Sequence, residues 1–282
     1  MGIATRGAMT TARTKGRANG DTSPGVEVEA VETDEGASGG LRSLDRPFVI
    51  LRVLRDRRAP MRLTEIATAA SLHLATTQRI VNLLIKHGYV EREGLDYRLG
   101  ITSLLNSATF RLTNPLVQIA EPILQQVTAS TGLTSTLSVR YELTQVLLLR
   151  VPSSPPLRYQ MPLGEQMPLM VGGARVLAAA LSAEDLDTLL EGVENIPLAS
   201  GLVLGRQEFI DSLRVIRERG YAFGQGQREA GAMSIAVPVF DREGETVAAI
   251  QLSSMIEDIP RDVDALVMEL KRASAAISRR IP

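Results

Sequence analysis

LTEIATAASLHLATTQRIVNLLIKHGYV, residues 63–90, is the stretch that decides the fold. It predicts two short helices joined by a tight turn. In the first helix, Ile66, Ala67 and Ala70 have the spacing of a buried stripe, and the small alanines let another helix approach closely. In the second and longer helix, the buried face is predicted to consist of Thr77, Ile80, Val81 and Leu84.

The second helix also carries a polar face. Its residues follow the spacing i, i+1, i+4, i+8 and are Gln78, Arg79, Asn82 and Lys86. Arginine can bond guanine through two hydrogen bonds, and Gln or Asn can bond adenine in the same way. Taken alone, this row favours a solvated face on an ordinary helical hairpin.

The residues after the second helix change this interpretation. Gly88 is expected to end the helix, and the runs 89–92 and 96–99 flank Glu93-Gly94-Leu95, which is a hairpin pattern. Helix, turn, helix and hairpin together predict a winged helix-turn-helix, whose second helix enters the major groove of DNA. We expect base contacts from Gln78, Arg79 and Asn82. The candidates for backbone contacts are Thr76 and Thr64 (also a plausible N-cap of the first helix). On the wing, Arg98 is a candidate for a phosphate or minor-groove contact.

The distribution of charge agrees with DNA binding, although the net charge of −1 does not itself indicate it. Residues 41–100 hold eleven Lys and Arg against six Asp and Glu, whereas the segments before and after are net negative. Contact with phosphates requires such a concentration of positive charge. An incidental cluster of arginines is the alternative.

The composition limits the class of protein. A chain of 282 residues with 44% hydrophobic and 22% charged residues is typical of one or two globular domains. It has no cysteine, no apolar run long enough to span a bilayer and no secretory signal, so we expect a cytoplasmic protein with no membrane association. Residues 1–40 have little to bury and are expected to be a disordered tail.

The N-terminal half resembles the IclR-type bacterial transcriptional regulators. The helix expected after Ser43-Leu44-Asp45-Arg46, with Ser43 or Asp45 as cap and Pro47 in its first turn, is followed by family patterns. These are L-x-E-I-A at residues 63–67, T-x-x-R at residues 76–79, G-Y-V at residues 88–90 and Y-x-L-G at residues 97–100. The sequence departs from the family at residues 73–75, His-Leu-Ala, where Pro-Lys-Ser is frequent.

The rest of the chain predicts an α+β domain. Residues 101–112 are expected to be a linker helix, and Asn114-Pro115 to cap and begin another helix. Strands are expected at residues 134–140, 145–151, 159–163, 234–240 and 246–253, and further helices after Gly172-Gly173, at 208–219 and at 262–281. Strands in hairpins with helices between and after them indicate an antiparallel sheet. The N–H groups at Gly172-Gly173 could favour a carboxylate.

This half also resembles the family, whose C-terminal domain is GAF-like and binds a small effector. The matching motifs are G-Y-A at residues 220–222, I-A-V-P-V at 235–239 and A-A-I-Q-L-S at 248–253. The resemblance implies an effector pocket formed by Tyr159, Met161, Gly172, Gly173, Ser234, Gln251 and Ser253. Gly224, Ser234 and Gln251 stand where aspartate, cysteine and serine are frequent, which implies a ligand other than the small keto acids that some members bind. Satisfied structural polar groups are the alternative for each of these residues.

These observations predict a sequence-specific DNA-binding regulator whose operator binding responds to a small-molecule effector. The expected domains are a winged helix-turn-helix at 41–100, a linker helix at 101–114 and a GAF-like domain at 115–282, and the expected assembly is a homodimer or tetramer. We expect no cofactor and no metal. The absence of Cys, of a G-x-S-x-G motif and of a dinucleotide fingerprint argues against an enzyme. The alternative is a ligand- or partner-binding protein whose winged helix mediates protein contacts.

Overall fold

The computed structural model describes residues 39–154, 161–258 and 262–281, with side chains described from residue 44 onward. The tail expected at residues 1–40 lies outside the described residues except for Gly39 and Gly40, which belong to the first helix. The described residues divide into two compact units, and the division falls inside the third helix, between Val81 and Asn82.

The first unit holds the elements that precede the division. They are α1 (Gly39–Arg57), β1 (Met61–Arg62), α2 (Leu63–Ala69) and α3 (Leu74–Lys86), which crosses the boundary. The predicted residues Ile66, Ala67, Ala70, Thr77 and Val81 are buried and Ile80 is half-buried, while α1 buries Ile50 and Leu54. At the turn between α2 and α3, Ser71 adopts a positive φ of 51°. The helix-turn-helix prediction is therefore confirmed.

Two predicted helix starts are wrong. First, α1 begins at Gly39, so Pro47 lies inside this helix rather than in its first turn. A proline inside a helix removes one backbone hydrogen bond, and its ring crowds the carbonyl four residues earlier, so a first-turn position was the expected one. Second, the N-cap of α2 is Arg62 rather than Thr64, and the Arg62 N–H donates to Glu65 Oε2 at 2.7 Å. A side chain three residues inside the helix thus satisfies the N-terminal donor.

The second unit opens with the end of α3, which is followed by the wing and the linker helix. The wing is an antiparallel hairpin of β2 (Val90–Glu93) and β3 (Asp96–Leu99), as predicted, and α4 (Ile101–Thr113) follows it. Then α5 (Pro115–Thr131) begins after Asn114, whose Oδ1 accepts the Val117 N–H at 3.1 Å, and ends at Gly132. Because Asn114 is extended (φ −74°, ψ 115°), α4 and α5 are two helices and not one.

An antiparallel sheet forms the centre of the second unit. In the described residues its strand order is β6-β5-β4-β11-β10-β9. The bounds are β4 (Thr134–Tyr141), β5 (Thr144–Val151), β6 (Gln166–Pro168), β9 (Ala222–Gln225), β10 (Ala232–Phe240) and β11 (Thr246–Met255). A separate two-stranded sheet pairs β7 (Asn195–Pro197) with β8 (Val203–Gly205).

Helices cover both faces of the central sheet. On one face α5 and α9 (Val263–Ser278) bury an apolar core that includes Leu124, Leu137 and Ile250. A second core lies with α6 (Arg175–Ala178), α7 (Ala183–Leu189) and α8 (Arg206–Arg219), together with Ala236 and Ala249 of the sheet. The α+β prediction is confirmed.

The strand predicted at residues 159–163 is wrong where it can be compared. Residues 159 and 160 lie outside the described part, and residues 161–163 are not in a strand. The edge strand is β6, after Gly164, whose N–H donates to Leu147 O at 2.8 Å and whose φ is +77°. The chain turns at this glycine before it enters β6. The sequence pattern alone predicted a strand before the glycine and not after it.

Candidate functional site

The polar face of α3 is accessible along its length. Arg79, Asn82 and Lys86 are exposed, Gln78 is half-buried, and Thr77 on the opposite face is completely buried. The Thr77 hydroxyl donates to His73 O at 3.2 Å, so this buried hydroxyl is satisfied by the carbonyl just before its own helix. The helix therefore presents amide and guanidinium groups outward and fixes its inner face by packing.

The other DNA-contact candidates lie at the ends of these elements. Thr64 is exposed in the first turn of α2, and Thr76 is half-buried in the first turn of α3. Arg98 is exposed on β3, where its guanidinium pairs with Glu93 Oε2 at 2.9 Å and with Glu91 Oε2 at 3.4 Å. These ion pairs across the wing were not apparent from sequence, because they depend on the hairpin register that sets Glu91 opposite Arg98.

The linker helix is fastened to the loop that leaves α3. The Thr102 hydroxyl donates to His87 O at 3.1 Å, and the Thr102 N–H donates to Gly88 O at 3.1 Å. Asn106 Nδ2 also donates to the hydroxyl of Tyr89 at 3.3 Å. The first turns of α4 therefore follow the C-terminal end of α3.

In the second unit, small polar residues form a continuous row across three strands, which ends at a glycine on a fourth. The register pairs Thr134 with Ser253, Ser253 with Ser234, and Ser234 with Gly224. Two residues further along these strands, Thr136 pairs with Gln251 and begins a second row. Residues two apart on a strand share a face, so both rows lie on the same face of the sheet.

A cavity of about 290 Å³ opens over these rows. Six of the seven predicted effector residues line it: Met161, Gly172, Gly173, Ser234, Gln251 and Ser253. The seventh, Tyr159, lies outside the described residues. The volume lies near the lower end of the range usual for small-molecule sites, about 300–1,000 Å³.

A close approach of main chain to side chain shapes the wall at Gly173. A Cβ atom added there would lie 2.0 Å from Gln251 Oε1 and 2.8 Å from the Cβ of Ala236. Gln251 is held in place by a hydrogen bond from its Nε2 to Ser253 Oγ at 2.6 Å. The polar end of the cavity is therefore closely packed.

Gln227 takes up the space beside Gly224. A Cβ added at Gly224 would lie 2.9 Å from both Cδ and Oε1 of Gln227. The same Oε1 accepts the Gly172 N–H at 2.8 Å. The idea that both glycine N–H groups are available to a carboxylate is therefore wrong for Gly172, because a neutral amide from this chain already binds it.

Sequence reasoning missed several lining residues. They are Thr134, Thr136, Arg150, Gln227, Arg228 and Glu229. The threonines could have been found, since Thr134 and Thr136 lie two residues apart on a predicted strand and therefore share a face. Gln227 and Arg228 follow β9 in a loop, and periodicity carries no signal there.

Comparison with known proteins identifies the family. The model of the bacterial transcriptional regulator IclR C-terminal domain matches residues 112–279, and that of the IclR helix-turn-helix domain matches residues 43–94. The chain belongs to the IclR family of bacterial transcriptional regulators. It is a DNA-binding transcriptional regulator with a helix-turn-helix domain and a C-terminal ligand-binding domain.

Individual IclR proteins agree with this. The chain is 25% identical over 246 residues to the HTH-type transcriptional regulator XynR of Escherichia coli K12, covering 86% of this chain and 97% of the relative. The IclR regulator structure from Alicyclobacillus acidocaldarius matches with a TM-score of 0.73 at 24% identity, covering 86% and 99% of the two chains. A Microbacterium hydrocarbonoxydans IclR homolog complexed with 4-hydroxybenzoate matches with a TM-score of 0.70 at 21% identity, covering 85% and 98%.

Within residues 39–154, 161–258 and 262–281, no three His, Asp or Glu side chains come together as a metal ion would need. No helix in those ranges combines the length and the apolar run that crossing a bilayer requires.

Proposed function

We propose that the protein binds operator DNA through the outer face of α3, and that a small molecule in the cavity changes this binding. The observation that carries the proposal is the exposed row of donors on α3, in a chain of this family. The proposed base contacts are Gln78, Arg79 and Asn82, and the proposed backbone contacts are Thr64, Thr76 and Arg98.

The effector site that we propose is the cavity over the polar rows of the sheet. Its ligand would contact Tyr159, Met161, Gly172, Gly173, Ser234, Gln251 and Ser253. Convergence of six of them on one concave surface supports this assignment, because a cavity with a few polar groups is the usual form of a small-molecule site. The complex of the Microbacterium relative with 4-hydroxybenzoate makes a small organic ligand a reasonable class to test first.

We further propose residues 41–100 as the DNA-binding domain, 101–114 as the linker and 115–282 as the effector domain. The contacts of Thr102 and Asn106 with the loop after α3 support a coupling role for α4. A change in the direction of α4 would move the C-terminal end of α3, the proposed recognition helix, with it. Since a bacterial operator lies on the chromosome, the protein would act in the cytoplasm.

A homodimer formed through α4 is the assembly that we propose. This helix exposes an apolar stripe with Leu104, Leu105 and Leu112 between 59% and 74% exposed, and none of its residues is buried. A second copy of the same helix would cover this stripe, and paired recognition helices would read a two-fold operator. Leu104→Glu should then shift the protein to monomer in sedimentation, whereas Leu202→Glu, at another exposed leucine, should not.

The test of the function is a titration of the protein on the DNA that flanks its own gene, with and without a panel of small organic acids. We expect specific binding, loss of specificity in Gln78→Ala/Asn82→Ala, and a changed affinity with at least one member of the panel. A matched control is Gln207→Ala, an exposed amide on α8. Specific binding that survives in the double variant would overturn the assignment of α3.

A further inference from the structure

The sequence just before α1 carries a dense run of negative charge. Residues 27–35, EVEAVETDE, contain five carboxylates and no basic residue, and we call them the acidic segment. They lie outside the described residues, and only residues 36–38 separate them from Gly39, where α1 begins. The acidic segment is therefore attached by a short length of chain to the helix-turn-helix.

The surface of the first unit carries the opposite charge. Arg46, Arg57, Arg62 and Arg79 are exposed, and within the described residues none of their guanidiniums forms an ion pair with a carboxylate. We call these four residues the unpaired arginines. Exposed arginines of the second unit do have carboxylate partners within 3.4 Å, as shown by Arg98, Arg140, Arg214 and Arg272.

The acidic segment is close enough along the chain to reach this surface. A chain extends by at most about 3.6 Å per residue, so Glu35 stays within about 14 Å of Gly39 and Glu27 within about 43 Å. The 19 residues of α1 span about 28 Å. A tether this short also keeps the segment at an effective concentration in the millimolar range, well above the concentration of the protein itself.

We infer that the acidic segment binds the unpaired arginines and competes there with DNA. This rests on the proposed binding of DNA through α3, because Arg79 takes part in both contacts. A surface that attracts phosphates through its positive field attracts carboxylates in the same way. The acidic segment is a polyanion that is tied covalently to this surface, so its binding needs no second molecule.

The acidic segment is a weaker ligand than DNA. When extended it carries five charges over about 30 Å, whereas duplex DNA carries one charge per about 1.7 Å of its axis. Operator DNA therefore displaces the segment, and the segment lowers the apparent affinity for every DNA by the same factor. Because salt weakens the segment as well as the DNA, the segment also makes the fall of DNA affinity with salt less steep.

The first experiment detects the contact without DNA. The chain contains no cysteine, so Ala30→Cys provides a single site for a nitroxide label within the acidic segment. We expect the nitroxide to broaden the methyl signal of Ala75, which is exposed one turn before Arg79 on α3. The broadening should disappear in about 1 M salt, where charges are screened beyond about 3 Å.

Variants of the labelled protein test whether charge causes this contact. The neutral-segment variant replaces the five carboxylates by amides: Glu27→Gln, Glu29→Gln, Glu32→Gln, Asp34→Asn and Glu35→Gln. Because the length of the tether is unchanged, its broadening at Ala75 should fall to the level found at high salt. Arg62→Gln/Arg79→Gln should have the same effect. Arg214→Gln/Arg272→Gln, in the second unit, is the matched control and should broaden as the unsubstituted protein does.

The second experiment measures DNA affinity by fluorescence anisotropy. With an effective concentration of about 1 mM and a dissociation constant of about 0.1–1 mM for the segment, the neutral-segment variant should bind operator and random DNA about two- to tenfold more tightly at low salt. The gain should vanish as salt rises. A control with the same change in net charge at exposed positions of the second unit should stay close to wild type: Asp187→Asn, Glu191→Gln, Glu218→Gln, Glu243→Gln and Glu257→Gln.

Three results would overturn the inference. They are equal broadening in the neutral-segment variant, broadening that persists at high salt, and equal DNA affinity of the neutral-segment and control variants. The proposed function fails in a different way. If the charge-dependent broadening is present but α3 binds no DNA, the contact between the acidic segment and the unpaired arginines stands, and the assignment of α3 to DNA falls.

Discussion

The guanidinium of Arg98 and the carboxylate of Glu93 face each other across the wing, with Nη1 2.9 Å from Oε2. Both side chains are largely exposed, so the pair contributes little to stability. The pair has a larger effect on DNA binding. Arg98 has to leave this carboxylate before it can contact a phosphate, and the carboxylate itself repels the phosphates of the DNA.

Glu93→Gln should therefore strengthen operator binding. We expect an increase of a few-fold at low salt, of the size of one surface charge interaction, and a smaller gain as salt screens it. Fluorescence anisotropy across a series of salt concentrations measures both. Glu243→Gln, in the exposed turn between β10 and β11, makes the same chemical change far along the chain and should have no effect. Weaker binding in Glu93→Gln would show that the ion pair positions the wing.

Arg79→Ala should weaken specific operator binding by about 1–3 kcal/mol and relax the preference at one base pair, as expected for loss of a two-bond contact with guanine. Arg79→Lys keeps the charge but loses the fork, so its loss of specificity should be similar while its non-specific binding is retained. Competition against random DNA separates the loss of specificity from any loss of non-specific binding. If Arg79→Ala protected the same DNA segment with the same affinity, Arg79 would not be one of the base-contacting residues.

Gly173→Ala should destabilise the effector domain by about 1–3 kcal/mol, the usual cost of forcing extra volume into a packed site. The cause is the 2.0 Å approach of the added Cβ to Gln251 Oε1. Gly173→Ala/Gln251→Ala should recover part of the loss, although the contact with Ala236 remains. Urea unfolding of the four proteins of this cycle measures the coupling, and additive effects would contradict the geometry.

Arg175 provides a prediction with a defined pH dependence. It is only 6% exposed, and its guanidinium donates to Gly172 O and Phe223 O, which joins the cavity wall to β9. Burial, and to a lesser extent repulsion by Arg219, lowers the pKa of Arg175 from its ordinary value to about 10. Arg175→Met should cost about 1–3 kcal/mol because it removes the donor from two carbonyl groups.

The difference in unfolding free energy between wild type and Arg175→Met should not change between about pH 6 and 9, because Arg175 is protonated in both states there. Above about pH 10 the folded protein releases this proton while the unfolded chain keeps it. The wild type should therefore gain stability relative to the variant as pH rises through that range. A difference that grew between pH 6 and 9 would mean that another group titrates with Arg175.

The elements that were predictable from sequence are those whose signals are local. The stripe at Ile66, Ala67 and Ala70, the wing around Gly94 and the asparagine cap of α5 each depend on residues within one helical turn or one hairpin. The caps that were wrong had competing local solutions. Glu65 reaches back to the Arg62 N–H, so the hydroxyl of Thr64 is not needed as a cap.

The cavity could be predicted only in part. Ser234, Gln251 and Ser253 were found by resemblance to the family, but their alignment with Thr134 and Thr136 depends on the register of strands distant in sequence. The hydrogen bond from the Gly172 N–H to Gln227 Oε1 joins residues 55 positions apart. No periodic pattern encodes such a contact, and the same is true of Arg228.

Asn114 has a mechanical consequence. Because one extended residue separates α4 from α5, its two backbone torsions set the angle between the helices, and this angle is held by the hydrogen bonds from the Val117 N–H to Asn114 Oδ1 and from Gln118 Nε2 to Leu112 O. Pro115 has a fixed φ and also restricts the residue before it, so the backbone torsions of Asn114 can vary only within the extended region. If the cavity and α3 are coupled as proposed, we expect the coupling to take the form of a change in the angle between α4 and α5, which has to disturb these two contacts.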